Sequence, residues 1–112
     1  RSVSRGLGDV YKRQMEDLVP AEFALHQNYP NPFNPTTQIK FDLAEDGLVT
    51  IKIYDVMGRQ LKTLVNSVKT AGYHSIRWDA TNDLGEGVSA GMYIYMIQAG
   101  DFVSTKKMVL LK

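Results

Sequence analysis

The chain has 112 residues, 44% of them hydrophobic, with 13 Lys and Arg against 12 Asp and Glu and a formal charge of +1. That length predicts one domain with a modest core, and the balanced charge gives no electrostatic case for nucleic acid or an anionic membrane surface. The lack of cysteine excludes disulfides, thiolate nucleophiles and cysteine zinc sites, and no apolar run approaches the ~20 residues that cross a bilayer as a helix.

Arg1 to Gln14 (RSVSRGLGDVYKRQ) is basic, contains glycine and has no sustained periodicity, so a disordered tail is expected. It also resembles translated adapter sequence at the ends of metagenomic fragments; on that reading residues 1–14 are not native. Residues 1–22 hold no continuous apolar segment of the kind a signal peptide needs. Met15 to Phe23 reads as a linker, with Pro20 set against helix. Tail and linker are thus expected over residues 1–22 and a folded module over 23–112.

Ala24 to Tyr29 is expected to be a short edge strand, because prolines follow it directly and are tolerated at a sheet edge. In Tyr29-Pro30-Asn31-Pro32-Phe33-Asn34-Pro35, each proline fixes φ, removes a backbone donor and drives the preceding residue to extended geometry. The loop is therefore stiff. Phe33 has two readings: a ring displayed to a ligand, or a ring turned inward to close one end of the fold, with Asn31 and Asn34 bonding the backbone of the turn. The second fits better with the strands that follow.

Thr37 to Leu43 alternates Ile39, Phe41 and Leu43 with polar residues, the period of a strand with one buried face. Ala44 to Gly47 turns it into Leu48–Tyr54, and Asp55 to Gly58 is the next turn. Arg59–Val65 makes a weaker strand with room for a bulge, and Asn66 to Gly72 connects. Tyr73–Asp79 places His74 on the face of Ile76 and Trp78. A polar loop, Ala80 to Ala90, precedes Gly91–Ala99, a nearly continuous apolar run expected for a central strand covered on both faces. Gly100-Asp101 is a two-residue hairpin signal, and Phe102–Leu111 is the last strand. About seven short strands without a helix predict an all-β fold, an immunoglobulin-like antiparallel sandwich, with a closed barrel as the alternative.

The chemistry is sparse. His26 and His74 are isolated, and Ser67, Ser75, Ser89 and Ser104 carry no nucleophile-elbow signature; an enzyme is not expected, nor a cofactor. Asp79, Asn82, Asp83 and Glu86 form the one oxygen-rich cluster, a calcium candidate. Calcium wants about six to eight oxygens, the spacing is not that of an EF-hand, and the same composition is ordinary for a turn, which is the preferred reading. Lys106, Lys107 and Lys112 read either as a recognition strip on a strand that accepts a partner strand, or as charges that block edge-to-edge pairing. Adjacent strand residues face opposite sides, and Lys107 is expected to be the more exposed.

Taken in order, QNYPNPFNPTT with IKFDL, VTIKIYDVMGRQLKTLV, AGYHSIRWD, GVSAGMYIYMI and STKKMVLLK closely resemble the C-terminal sorting domain of type IX secretion system cargo (Por secretion system, type A), a module of secreted proteins of the Bacteroidetes and related phyla. The match runs from about Pro20 to Lys112. AGMY stands where many members have SGVY or a proline-containing version. WD followed by an acidic glycine loop and GxYxY is also similar to the immunoglobulin-like part of flagellar hook-capping proteins, which lacks PNPF and the lysine block. The first resemblance implies a sorting signal for an upstream cargo domain, recognised by the outer-membrane translocation machinery and located at the cell surface or outside the cell by way of the periplasm. It further implies cleavage by a sortase-like protease, expected within Met15 to Leu25, and no membrane insertion. Pro30, Asn31, Pro32, Phe33, Gly91, Tyr93, Lys106 and Lys107 match the family's motif positions. An accessory immunoglobulin-like binding module, holding a cargo to polysaccharide or protein, is the alternative.

Overall fold

The computed structural model describes residues 19–111; residues 1–18 of the tail and linker expected over 1–22, and Lys112, lie outside the described residues. Seven strands follow one another: β1 (Ala24–Leu25), β2 (Thr37–Leu43), β3 (Gly47–Asp55), β4 (Gln60–Lys69), β5 (Gly72–Trp78), β6 (Gly91–Ala99) and β7 (Phe102–Leu110). They form two antiparallel sheets, β1-β2-β5 and β4-β3-β6-β7. Two separate sheets make the fold a sandwich and not a closed barrel.

Alternation is what builds it. Ile39, Phe41 and Leu43 of β2 point at Val49, Ile51 and Ile53 of β3, at Tyr95 and Ile97 of β6, and at Met108 and Leu110 of β7, all of them buried. Each such side chain contributes about 1.5–3 kcal/mol of apolar transfer. The two β-rich runs with the clearest pattern, Thr37–Leu43 and Gly91–Ala99, form strands with the expected ends.

Three expectations need correction. The third full strand does not stop at Val65: Asn66 to Lys69 continue it, because they pair with Thr50 to Gly47 of β3. The ladder supports a polar segment that has no apolar alternation of its own. Two register shifts, at Ile51/Lys52 and Ile53/Tyr54, are the irregularities that this strand had room for. The edge strand before the prolines is only two residues long, and Tyr29 joins the sheet through a single bridge to Gln38. Finally, β6 is central but not covered on both faces. Tyr93, Tyr95, Ile97 and Ala99 face the core, whereas Met92, Ile94 and Met96 lie on an outer face that no described element covers.

Candidate functional site

Prolines at 30, 32 and 35 leave the loop between β1 and β2 with few backbone donors, so its remaining polar groups reach outward for partners. They find them on β7. Phe33 N–H donates to Val109 O (2.9 Å), Leu111 N–H donates to Phe33 O (2.8 Å), and Val109 N–H donates to Asn31 Oδ1 (3.0 Å). Gln27 Nε2 donates to Lys107 O (2.6 Å). The loop thus runs parallel to β7 along its outer edge, joined to it by a single bridge between Phe33 and Leu110. This edge is sealed from Lys107 to Leu111, while none of the described residues pairs with it between Val103 and Thr105. Asn31 therefore bonds the last strand and not the turn in which it sits.

Inside the loop, Asn28 is buried and organises the chain. Its Nδ2 donates to Pro30 O (3.2 Å) and Thr37 Oγ1 (3.0 Å), and the Thr37 hydroxyl donates to Pro30 O (2.8 Å). Its backbone N–H donates to the Tyr95 hydroxyl (2.8 Å), which donates in turn to His26 O (2.7 Å). Tyr95 belongs to β6, so this phenol ties one sheet to the other. Burial pushes the Tyr95 hydroxyl up to about 12, with the hydrogen bond from Asn28 N–H opposing.

Phe33 is 1% exposed, so its ring is a plug and not a displayed group. It lies 5.7 Å from Trp78, which meets the edge of Tyr93 at 5.7 Å. Trp78 Nε1 donates to Thr81 O (2.8 Å), and the Tyr93 hydroxyl donates to Ser89 O. Tyr93 pairs with Met108 and Gly91 with Leu110. Segments separate in the sequence, PNPF, WD, AGMY and KKMVLL, thus meet at one end of the sandwich.

Among the motif residues, Asn31, Phe33, Gly91, Tyr93 and the Lys107 carbonyl come together here. Pro30 and Pro32 are exposed on the loop. Gly91 has φ of 149°, and an added Cβ would meet nothing within 4 Å, so backbone conformation rather than space favours glycine. Lys107 is exposed and Lys106 half-buried. Sequence reasoning missed Gln27, Asn28 and Tyr95, whose partners across the sandwich are set by the docking of the two sheets, and Thr37, which bonds Asn28 and Pro30 within the loop; a threonine opening a strand beside an Asn-rich loop was the available signal.

The remaining polar candidates sit elsewhere. Asn82 Oδ1 accepts from Leu84 N–H and Glu86 N–H (both 2.9 Å), and Asn82 Nδ2 donates to Glu86 Oε1 (3.2 Å). Asp83 Oδ1 accepts from Thr63 N–H (3.1 Å). Asp79 Oδ1 accepts from the Thr81 hydroxyl (2.6 Å), the main reason its carboxyl lies below the usual range. Among the described residues, no three His, Asp or Glu side chains are grouped so as to hold a metal. His74 stacks on Phe41 (5.3 Å) with Nε2 at 2.7 Å from Thr70 O, and His26 pairs with Asp42 at 2.9 Å. In the Asp55–Arg59 turn, Asp55 accepts from Arg59 N–H, Arg59 Nε and Met57 N–H (2.8–2.9 Å), and the Arg59 N–H above all holds its carboxyl below the usual range.

An antiparallel sandwich whose last strand is clasped by its own proline loop defines an immunoglobulin-like module. The sequence profile described as the secretion system C-terminal sorting domain matches residues 27–111, and the chain belongs to that family. The domain is a sorting signal of type IX secretion, and the protein that bears it is secreted or displayed at the cell surface. Among solved structures, dimeric latent PorU from Porphyromonas gingivalis is similar at 21% identity over 82% of this chain and 10% of that one, with a TM-score of 0.62. PorZ, described as an essential surface component of the type-IX secretion system of the same organism, is similar at 19% identity over 80% of this chain and 11% of that one (TM-score 0.52). FlgD from Xanthomonas campestris, described in connection with flagellar hook capping, is similar at 24% identity over 82% of this chain and 64% of that one (TM-score 0.54). These likenesses are of fold, and this chain spans only about a tenth of PorU or PorZ. No curated protein sequence matches the chain significantly.

Proposed function

We propose that the domain carries an upstream cargo in its own chain to the outer-membrane translocation machinery of type IX secretion, and is then cut from it by a sortase-like protease as the cargo is attached to the surface or released. Family membership over residues 27–111 carries this reading, and the convergence of the motif segments at the clasp supports it. Leu25 is buried in β1 and Phe23 stacks on Phe102 at 5.5 Å. Pro20 is buried as well, whereas Ala21 and Glu22 are exposed, and cleavage is expected on the N-terminal side of Phe23. On this reading the domain acts by being bound, and its histidines have structural partners, His26 with Asp42 and His74 with Thr70 and Phe41.

The test is transplantation. A reporter placed between a signal peptide and Met15–Lys112, in a bacterium with type IX secretion, should reach the surface or medium. The released reporter should end between Met15 and Glu22 by mass spectrometry. A reporter held in the periplasm contradicts the reading.

The accessory-module reading has one observation in its favour. Tyr29 and Tyr73, 81% and 58% exposed, stand on the outer face of the three-stranded sheet, and exposed aromatics stack on sugar rings. Retention of the isolated domain on an insoluble glycan, undiminished by removal of β7, would favour it over sorting.

A further inference from the structure

An antiparallel sheet with one wet face normally alternates apolar and polar residues. The three-stranded sheet obeys, with Lys40, Asp42, Ser75 and Arg77 on its outer side. The four-stranded sheet does not. Its central strand sends Met92, Ile94 and Met96 outward, and the register sets Tyr54 beside Ile94 and Val109 beside Met92. Met92 is 45% exposed, and the other four are half-buried with no layer above them among the described residues. The charges on this face are equally one-sided. Lys52 and Lys107 lie diagonally across Ile94 and Met96, roughly 12 Å apart by strand spacing and rise. Neither has a carboxylate within salt-bridge distance among the described residues, and no Asp or Glu occupies any outward position of the four strands.

We propose that this face is the surface by which the sorting domain docks onto a protein partner, one with an apolar centre and carboxylates set against Lys52 and Lys107. An apolar middle within a polar rim is the anatomy of a protein interface, and methionine adapts its shape to what it meets. Charge argues against a second copy of the domain. A second copy applied through the same face brings lysines to a surface with no carboxylate to receive them. The assignment rests on the sorting reading and names the side of the domain that sorting uses.

The test uses the reporter fused to Met15–Lys112. Reversal of both charges (Lys52→Glu with Lys107→Glu) should lower surface reporter by about tenfold or more, the effect of losing roughly 1.4 kcal/mol of binding. Met96→Glu should act likewise, whereas Ser75→Glu and Lys40→Glu on the opposite face should leave export within about twofold, the scale of an exposed charge. Unchanged melting temperatures of the purified variant domains separate docking from folding. A photocrosslinker replacing Met96 should capture a protein in exporting cells, lose it on charge reversal, and capture none from position 75. Export of the unaltered fusion with equal export of the double variant overturns the docking face alone. No export of the unaltered fusion overturns the sorting reading and this one with it. Dimerisation of the purified domain abolished by the double variant assigns the face to a second copy, and co-sedimentation with phosphatidylglycerol vesicles assigns it to lipid; either outcome overturns the proposal.

Discussion

The proline loop between β1 and β2 and the polar loop between β5 and β6 are both rich in turn residues, yet they are held in opposite ways. The polar loop is held largely from within, where Asn82 gathers Leu84 and Glu86 and Thr81 bonds Asp79, with Asp83 reaching out to Leu61 and Thr63 of β4. The proline loop has lost backbone donors to its prolines and is fixed from outside, by β7 along one edge and by Tyr95 from the facing sheet. A loop that supplies its own hydrogen bonds is a local structure and tolerates change around it. A loop that borrows them is coupled to distant strands, so damage to it should spread to the end of the sandwich where the family's motifs meet.

The sharpest way to break the contrast is to truncate one apolar residue in each loop. Phe33→Ala should cost about 3–5 kcal/mol, the usual range for a buried phenylalanine. Leu84→Ala, at an 82% exposed position, should change stability by about 0.5 kcal/mol or less. Thermal unfolding of the two variants decides; equal losses would mean that the proline loop is no more coupled than its counterpart.

Tyr95→Phe comes next, with an expected loss of about 1–3 kcal/mol from the Asn28 N–H and His26 carbonyl left unpaired. It carries its own pH signature. The raised value of Tyr95, about 12 against 10.0, means its contribution is whole below pH 10.0 and is lost as the pH rises from there through about 12. The wild-type domain should weaken over that window, and Tyr95→Phe should lose that part of the slope. The polar loop should instead respond to acid. Asp79 has a depressed value against 3.8, so its small contribution is present above pH 3.8 and fades as the pH falls below it through the folded-state value. Asp79→Asn should remove that acid step and leave the alkaline one intact, as read from unfolding curves across pH. The smallest expected effect is that of calcium. Because Asn82 and Asp79 are engaged in bonds within the loop and Asp83 in a bond to β4, addition of calcium or chelator should not move the melting temperature, and a rise with calcium would revive the ligand reading of that loop.

Where one face of a strand is apolar, the sequence was readable to the residue: Thr37–Leu43 alternates cleanly, and Gly91–Ala99 is an apolar run with glycine at its start. The inward turn of Phe33 and the greater exposure of Lys107 also followed from period and context. The extension of β4 through Asn66–Lys69 did not, because its support is a ladder with β3 and not its own side chains. The site divides the same way. Its apolar members, Phe33 and Tyr93, carried signals, but Asn31 finds its partner at Val109 and Asn28 at Tyr95. Pairings between residues so far apart exist only once two sheets are docked, and no local propensity encodes them.

Removal of Thr105–Lys112 from the reporter fused to Met15–Lys112 tests the central claim most directly, because it deletes the stretch of β7 that the proline loop clasps. With the signal peptide intact, the truncated fusion should accumulate in the periplasm while the full-length fusion reaches the surface or medium. Equal export of the two would contradict a sorting role for this strand.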